Sequence, residues 1–583
     1  MSKPLYRTVI RGKLIQESPL AALATAPDSR ETDTFQRDGL GRLTLYGSAL
    51  AGGLIETAAR IVPDLLGEPL PGTGSAQPTG SRIPEQSYRS ITAKRRGRHR
   101  KAPKASQSTS EPFDQSVWIF ENAHIHGDPP TTEWRQGVGI RQATGAAARD
   151  KGPLYDFEVV PTGTAWTFQL EIDTHRGSEL AEHLAVLALD EWCRGRAWLG
   201  GRAVRGYGWC RLEIDMAVRL VADLPTLQAW PDNTADPAEA LEAARCLPDS
   251  QTLEWNDLVT NARNEVGLPP AEQAWHYLCL EIEADITSPS DTRYGFDPLR
   301  IAGHPLGLDP LPDEDRWQPH SGKPEPRELD RPFLRTASKG KDGFQPALPG
   351  SGIRGPLRHA ASRLLRMAGT AVRDPNDSTD PEASKLIQAI RKLREEGTQD
   401  LSSVDVRLRA DLLTQWLGAE ELSSWVLIRE AQFHGSPRYA RLQLHAEDEF
   451  TAGVYGNAKF DAELLVQGTF RFPIVIELPP YRPPSRPLQG KKKPKQEDPS
   501  IDLRRRLAEL DQWLVPALQL AQFGHVPLGG GKWSGSGWLP WRIRAIAAER
   551  AGHPDTSPPL ALSQWLESFK ARLHSPSPMQ DTQ

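Results

Sequence analysis

Apolar and polar positions change period several times along this chain, and the changes divide it into two halves that echo each other. The stretch Leu5–Ser18 has broken two-residue alternation with β-branched side chains, which predicts a strand. A polar, glycine-containing loop follows. Then YGSALAGGLIETAARI (Tyr46–Ile61) places Leu50, Leu54, Ala58 and Ile61 on one helical face. Ser48 suits the N-cap, because its hydroxyl can accept an orphan amide of the first turn. Ser116–Ile125 reads as a strand, Gly137–Asp173 as an extended hairpin and Ser178–Arg194 as a helix. LGGRAVRGYGWCRLEI (Leu199–Ile214) reads as a glycine loop opening a last strand.

The second half repeats this order. Trp275–Ile286 is the first strand, followed by an irregular stretch to Phe344. LPGSGIRGPLRHAASRLL (Leu348–Leu365) is again a glycine-serine turn entering a helix, with Ile353, Leu357, Leu364 and Leu365 on one face. Thr414–Phe433 echoes the strand before the first hairpin, and Leu442–Leu478 echoes the hairpin. Ile501–Phe523 is the second helix, and PLGGGKWSGSGWLPWRI (Pro527–Ile543) is the second glycine loop and strand. A repeat fixes architecture before any single element does. The order β, α, β, β, α, β predicts an α+β chain of two tandem ferredoxin-like (RRM-like) modules, with thumb-type β-hairpins and loop or helical insertions.

The expected boundaries are a first module over 1–220 and a linker with some helical character over 221–270. A second module covers 271–550, and a tail with one short helix covers 551–583. Within the modules, 68–112 is a basic, flexible insertion, 381–413 a helical one and 479–500 a Pro/Lys linker. A chain of 583 residues exceeds one ordinary core, which agrees with two modules.

Composition narrows the function. The formal net charge of -5 argues against a nonspecific nucleic-acid coat, though not against local basic surfaces. Four cysteines (Cys193, Cys210, Cys246, Cys279) form no CxxC pair, as expected of incidental thiols in a reducing cytoplasm. No apolar run is long enough to span a bilayer, and no secretory leader is evident, so the expectation is a cytoplasmic protein without a membrane partner. His124 and His126 lack a cysteine or carboxylate at ligand spacing, so no stable structural metal is expected. The basic runs Lys94–Lys104 and Lys491–Lys495 suit either a solvated loop or a grip on phosphates.

Both repeated landmarks are places where backbone amides can hold anions. Gly47-Ser48 and Gly350-Ser351 set free amides at a helix N-terminus. Arg354 and Arg358 add charge in the second copy, whereas the first has Ala51 where the second has Arg354. In the glycine loops, Gly201, Gly206, Gly530 and Gly531 permit close backbone approach. Arg202, Arg205 and Lys532 are placed to reach phosphates there, and Tyr207 and Trp533 to stack on bases. The same glycines also suit a tight connection against a strand edge, and the same arginines a well-capped helix.

The ordered set of first strand, acidic loop, glycine-serine turn into a helix, hairpin and C-terminal glycine loop resembles the repeat-associated (RAMP) superfamily of CRISPR proteins. It is most similar to the backbone subunits of type III effector complexes, here as a fused pair. The resemblance implies subunits that polymerise along a guide RNA, pair it with a target RNA and kink the duplex with each thumb. It implies an aspartate, in the loop after the first strand, that cuts beside the displaced nucleotide. TDTFQRDGLGRLTLYGS matches with Asp33, and LDRPFLRTASKGKDGFQPALPGS with Asp330. Asp28, Glu31 and Asp38 share the first loop, and Asp309, Asp313 and Asp315 the second. A carboxylate there can accept a proton or hold a divalent cation, with Mg2+ suited to an oxygen-rich site; the metal-binding residues are unknown. Implied partners are guide RNA, target RNA, backbone neighbours and the large polymerase-like subunit. The alternatives are a scaffold that binds guide RNA without cutting, and a guide-processing ribonuclease.

Overall fold

The computed structural model describes residues 6–22, 32–61, 117–138, 154–174, 179–200, 202–221, 250–266, 276–286, 298–301, 333–337, 344–373, 385, 388, 410–418, 424–447, 454–478, 499–532, 535–550 and 553–556. The basic runs, the 68–112 insertion, Gly201, Asp330, Trp533 and most of the 381–413 and 479–500 segments lie outside them.

The first module runs β1 (Tyr6–Gln16), β2 (Thr32–Asp33), β3 (Thr44–Leu45), α1 (Gly47–Ile61), β4 (Trp118–Phe120) and β5 (Ala123–His124). It continues with β6 (Glu133–Val138), β7 (Leu154–Val159), β8 (Ala165–Thr174), α2 (Glu179–Cys193), β9 (Ala197–Trp198) and β10 (Trp209–Val221). The alternation read in β1 sends Ile10 and Leu14 inward, and its neighbours β8 and β10 both pair antiparallel with it. The sheet order β10-β1-β8-β4 is that of a ferredoxin-like fold. Leu50, Leu54, Ala58 and Ile61 of α1 are all buried against it, as their spacing predicts.

The 221–270 segment contributes its helical character to this same core. There β11 (Ser250–Thr252) extends the sheet beside β10, and α3 (Trp255–Val266) packs on α2 through Leu258, Val259, Ala262 and Val266.

The second module begins with β12 (His276–Asp285), β13 (Arg335–Ala337), β14 (Phe344–Pro346), α4 (Gly350–Met367), α5 (Leu412–Leu417) and β15 (Val426–Ile428). It ends with β16 (Gln432–Glu447), β17 (Val454–Leu478), α6 (Pro499–Gln522), β18 (Trp541–Arg550) and β19 (His553–Thr556). Its sheet order, β15-β17-β12-β18-β19, copies the first. Even the bulge recurs: β1 slips against β10 between Arg11 and Gly12, and β12 against β18 between Glu281 and Ile282. The predicted hairpins are β6–β7 in the first module and β16–β17 in the second. Tryptophans are core residues in both copies, with Trp166, Trp192, Trp416, Trp513 and Trp541 fully buried. Among the described residues, no helix is long and apolar enough to cross a membrane.

One sequence expectation gives way here. Ser48 lies inside the first turn of α1, not at its N-cap; Tyr46 carries the carbonyl that accepts from Ala49 at 2.8 Å. The Gly47 amide donates instead to Asn122 Oδ1 at 2.9 Å, a side chain brought from 75 residues downstream.

The glycine loops close alike. Leu199 N donates to Gly208 O, and Leu528 N to Gly537 O, each at 2.8 Å. A Cβ on Gly208 would lie 1.9 Å from Leu199 O, and one on Gly537 2.0 Å from Leu528 O, and both glycines have positive φ. Alanine at either place therefore faces a backbone clash and an unfavourable dihedral together. Gly208→Ala and Gly537→Ala are each expected to cost about 2–4 kcal/mol by urea denaturation. Gly52→Ala, whose Cβ meets nothing within 4 Å in the middle of α1, is expected to add about 0.5–1 kcal/mol.

Candidate nucleic-acid interface

The loop after the first strand is anchored before it reaches its aspartate. Gly208 N donates to Pro19 O at 2.8 Å, and Leu20 and Val160 exchange bonds of 2.9 and 3.0 Å. The second module repeats the arrangement: Gly537 N donates to Pro298 O, and Leu299 and Leu465 exchange bonds, all at 2.9 Å. The glycine loops thus grip the start of each acidic loop.

Asp33 lies on β2, whose backbone pairs parallel with β7, Asp33 opposite Phe157. Two residues on, a buried glutamate takes over. Glu158 accepts from the Phe35 amide at 2.8 Å and from Arg37 Nη2 at 2.7 Å. In the second module Glu463 accepts from the Phe333 amide at 2.9 Å and from Arg335 Nη2 at 2.8 Å. Each latch fixes the acidic loop to the base of its hairpin. Sequence reasoning missed Glu158, Glu463, Arg37 and Arg335. Their signal is there as a second-order repeat: Phe35-x-Arg37 with Asp156-x-Glu158, and Phe333-x-Arg335 with Asp461-x-Glu463.

The latches also supply a common frame. Counted back from the latched phenylalanine, Asp33 is two residues away and Asp330 three. Asp330 itself lies outside the described residues. Asp38, another acid of the first loop, is committed to a turn. It accepts from the Leu40 and Arg42 amides at 2.9 Å each and from Arg42 Nε at 2.7 Å. These backbone and arginine donors hold its carboxyl below the usual carboxylate range.

The predicted cations divide into three groups. Arg202 stacks its guanidinium 4.2 Å above Phe157, the residue paired with Asp33, so the structure brings Arg202 to the acidic strand. Its φ of 69° is, among the described residues, the one left-handed backbone outside glycine. Arg205 is exposed at the tip of the same loop, and Lys532 and Gly531 are half-buried and Gly530 exposed on the equivalent loop. Arg354 and Arg358 bind protein carbonyls rather than facing outward alone. Arg354 donates to Leu417 O, to Ser424 Oγ and Val426 O at 3.1 Å each, and Arg358 donates to Gly418 O at 3.0 Å. They tie the C-terminal end of α5 to α4. Burial, then the nearby Arg358 and Arg205 charges, pull Arg354 down to about 9. Tyr207, expected to stack on a base, is buried edge-on against Phe157, its ring centroid 5.3 Å away.

The glycine-serine turns differ from expectation for a related reason. Gly350 is covered by the first module: its Cβ position is 2.8 Å from Arg205 O and 3.0 Å from the Gly206 Cα. Two glycines are needed for this close backbone approach. Ser351, like Ser48, stays exposed.

Around that contact the modules share a small apolar cluster of Trp198, Trp209, Tyr277, Leu427 and Val475. Arg429 reaches Glu17 at 2.6 Å. Glu133 of β6 accepts from Thr336 Oγ1 at 2.9 Å and the Ala337 amide at 2.7 Å, tying the first hairpin to the strand after Asp330. Arg135 lies 1% exposed between Glu133 at 2.8 Å and Glu430 at 3.4 Å. Its Nε and Nη1, and Glu430 Oε2, have no hydrogen-bond partner among the described residues. Burial, reinforced by Glu133, pushes the Glu430 carboxyl up despite Arg135.

Among the described residues, no three His, Cys, Asp or Glu side chains gather as metal ligands. Cys193 and Cys210 are pushed up by burial, Cys193 to about 12.

A family described as the RAMP superfamily matches residues 9–211 and 298–539, more than half of the chain and one segment in each module. No curated protein matches the chain.

The two latches respond differently to truncation. Glu463→Ala takes the carboxylate from Arg335, whose side chain is 9% exposed and which also donates to the Tyr439 hydroxyl at 3.3 Å, and is expected to cost about 3–5 kcal/mol by denaturant unfolding. Glu158→Ala leaves Arg37, 42% exposed, free to hydrate, and is expected to cost about 1–3 kcal/mol. For Glu430 the folded carboxyl lies above its unfolded value, so the folded state holds the proton more tightly. Its contribution is fully present below the unfolded pKa and declines as pH rises toward the folded value. Glu430→Gln, which cannot ionise, is expected to flatten that decline in a melting-temperature series from acid to neutral pH. An unchanged pH slope refutes this account of Glu430.

Proposed function

Because the chain belongs to the RAMP superfamily of CRISPR-associated RNA-binding proteins, we propose that it is a double backbone subunit of a type III CRISPR effector complex. In this reading it binds guide RNA in the cytoplasm and cuts guide-paired target RNA. Target sequence is read by base pairing to the guide, while the protein holds backbone and shape. Its partners are guide RNA, target RNA, neighbouring backbone subunits and the large polymerase-like subunit.

The observation that carries the reading is the repeated latch, which sets an acidic loop at the base of an extended hairpin in both modules. A hairpin that displaces one nucleotide leaves its 2′-hydroxyl free to align with the adjoining phosphate. Positioning then supplies much of the acceleration, and a nearby carboxylate accepts the hydroxyl proton. Asp33 has the stronger claim, with Arg202 near its strand to balance developing charge. Asp330 is the counterpart, one residue out of step with the latch.

The described residues do not form a metal cage, and Glu158 and Asp38 already have other partners. In this reading Mg2+ would offset negative charge on the RNA phosphates, and no step is routed through it.

The contact between modules also supports a backbone role. It joins unlike surfaces, the glycine loop of one to the helix turn of the next, and such a contact can repeat in a line. The first module carries the equivalent of the covered surface, where a Cβ on Gly47 would meet Phe120 O, as one on Gly350 would meet Ile428 O. There Glu121 and Asn122 are exposed, whereas Arg429 is half-buried and Glu430 buried.

The test is a cleavage map of end-labelled target RNA by the assembled guide complex, with and without magnesium. Asp33→Ala is expected to abolish one cut, slowing it about 10²–10⁴-fold, while binding persists. Asp330→Ala is expected to remove a neighbouring cut. If every cut survives the double variant, the aspartates are wrongly assigned. Wild-type protein that binds target and never cuts it is a scaffold.

A further inference from the structure

The foot of the first hairpin carries two buried carboxylates, one on each strand. Glu158 on β7 latches the acidic loop of its own module. Glu133 on β6 pairs with Val159, the residue after Glu158, and is 3% exposed. Its side chain turns to the second module. Glu133 Oε1 accepts from Thr336 Oγ1 at 2.9 Å and from the Ala337 amide at 2.7 Å, and Oε2 accepts from Arg135 Nη2 at 2.8 Å. A carboxylate this buried needs such donors, and both of its oxygens have them. One hairpin foot therefore holds two loops.

Thr336 and Ala337 directly follow Arg335, which Glu463 latches. The chain leaving the second acidic loop is thus fixed at consecutive residues by different hairpins, and Asp330 precedes the fixed stretch by three residues. In the first module the residue after the latched arginine is Asp38, which closes its own turn on the Leu40 and Arg42 amides. The brace is stiff, because Arg135, itself 1% exposed, also reaches Glu430 of the second module at 3.4 Å. The second hairpin has an alanine at the corresponding place: Ala440, paired with Leu464 beside Glu463, stands where Glu133 stands. The brace belongs to the joint inside this chain.

We propose that Glu133 is a positioning residue for the second module's acidic loop, so that the cut made there depends on a residue of the first module. The proposal rests on the cleavage reading above. Glu133 acts in it only by fixing the strand that follows the loop. Misplacement by about 1 Å is enough to slow a reaction about 10²-fold.

The assembled guide complex would cut end-labelled target under single turnover, each cut serving as the reference for the other. Glu133→Ala is expected to slow one cut, the one that Asp330→Ala removes, about 10–100-fold against the other. Thr336→Val removes one donor, leaves the Glu133–Arg135 pair, and is expected to slow the same cut about fivefold. Glu133→Gln keeps an acceptor for both donors and is expected to recover most of that cut. Glu430→Gln disturbs the joint without touching Thr336 or Ala337 and is expected to leave the ratio of cuts unchanged. Hydrogen exchange of the same complexes without target reads the brace directly. The Ala337 amide is expected to lose protection in Glu133→Ala and to keep it in Glu430→Gln. Selective slowing of one cut supports the proposal whichever acid serves it. Equal slowing of both cuts assigns Glu133 to stability alone and overturns the proposal. An unchanged ratio overturns it too, as does an Ala337 amide still protected in Glu133→Ala. Failure of Glu133→Gln to recover the cut places the effect in the charge pair with Arg135 and also overturns it. All of these leave the cleavage reading standing, whereas a wild-type complex that never cuts overturns both.

Discussion

One buried carboxylate in each module, Glu158 and its counterpart Glu463, decides where the chain before the hairpin must pass. Glu158 and Glu463 lie on the returning strand of the hairpin, and a carboxylate buried there needs donors. Each obtains them from the same two sources, the amide of a phenylalanine and the guanidinium two residues beyond it. Satisfying the carboxylate therefore determines where the long loop after the first strand must pass. The phenylalanine goes into the core, as Phe35 does against Trp166 with ring centroids 5.9 Å apart. The preceding residues are drawn to the foot of the hairpin. A loop that would otherwise be free is placed by one charge.

The second constraint is close backbone approach. Gly206 and Gly350 meet with their Cα atoms near contact, so a side chain on either would hold the modules apart. With that gap closed, the tryptophan and tyrosine cluster becomes dry and the flanking polar groups find each other. Glu133 is the clearest consequence. It belongs to the first hairpin, yet it bonds Thr336 and Ala337, immediately after the latch residue Arg335. The acidic loop of the second module is thus held by two hairpins, its own through Glu463 and its neighbour's through Glu133. The first module's loop is held by its own hairpin through Glu158. The modules share a fold, but their loops do not share a mechanical environment.

Much of this was legible as pattern. The helical face Leu50, Leu54, Ala58 and Ile61 and the alternation in β1 are local signals, and local signals survive folding because the core rewards them directly. The ferredoxin-like order was legible because the repeat printed it twice. The roles of individual cations were not. Arg354 and Arg358 look like phosphate ligands on a helix face, but their acceptors are carbonyls at the end of a helix about 60 residues away. Nothing at the arginines records that acceptor. Tyr207 fails as a stacking platform for a similar reason: Phe157, which covers it, comes from another strand. The loop glycines left two readings open. Their sequence suited either an opening for phosphate or a tight connection, and at Gly208 and Gly537 the space a side chain would take is filled by a carbonyl of the same loop.

The two acids are the place where repetition and chemistry part company. Phenylalanine, arginine and glutamate superimpose in type and bonding between the modules, so the loops share one frame up to the latch. Within that frame Asp330 is one residue farther out than Asp33. In an extended chain a one-residue shift turns a side chain to the opposite face. Repetition therefore fixes the frame of the two loops but not the register of the acid within it.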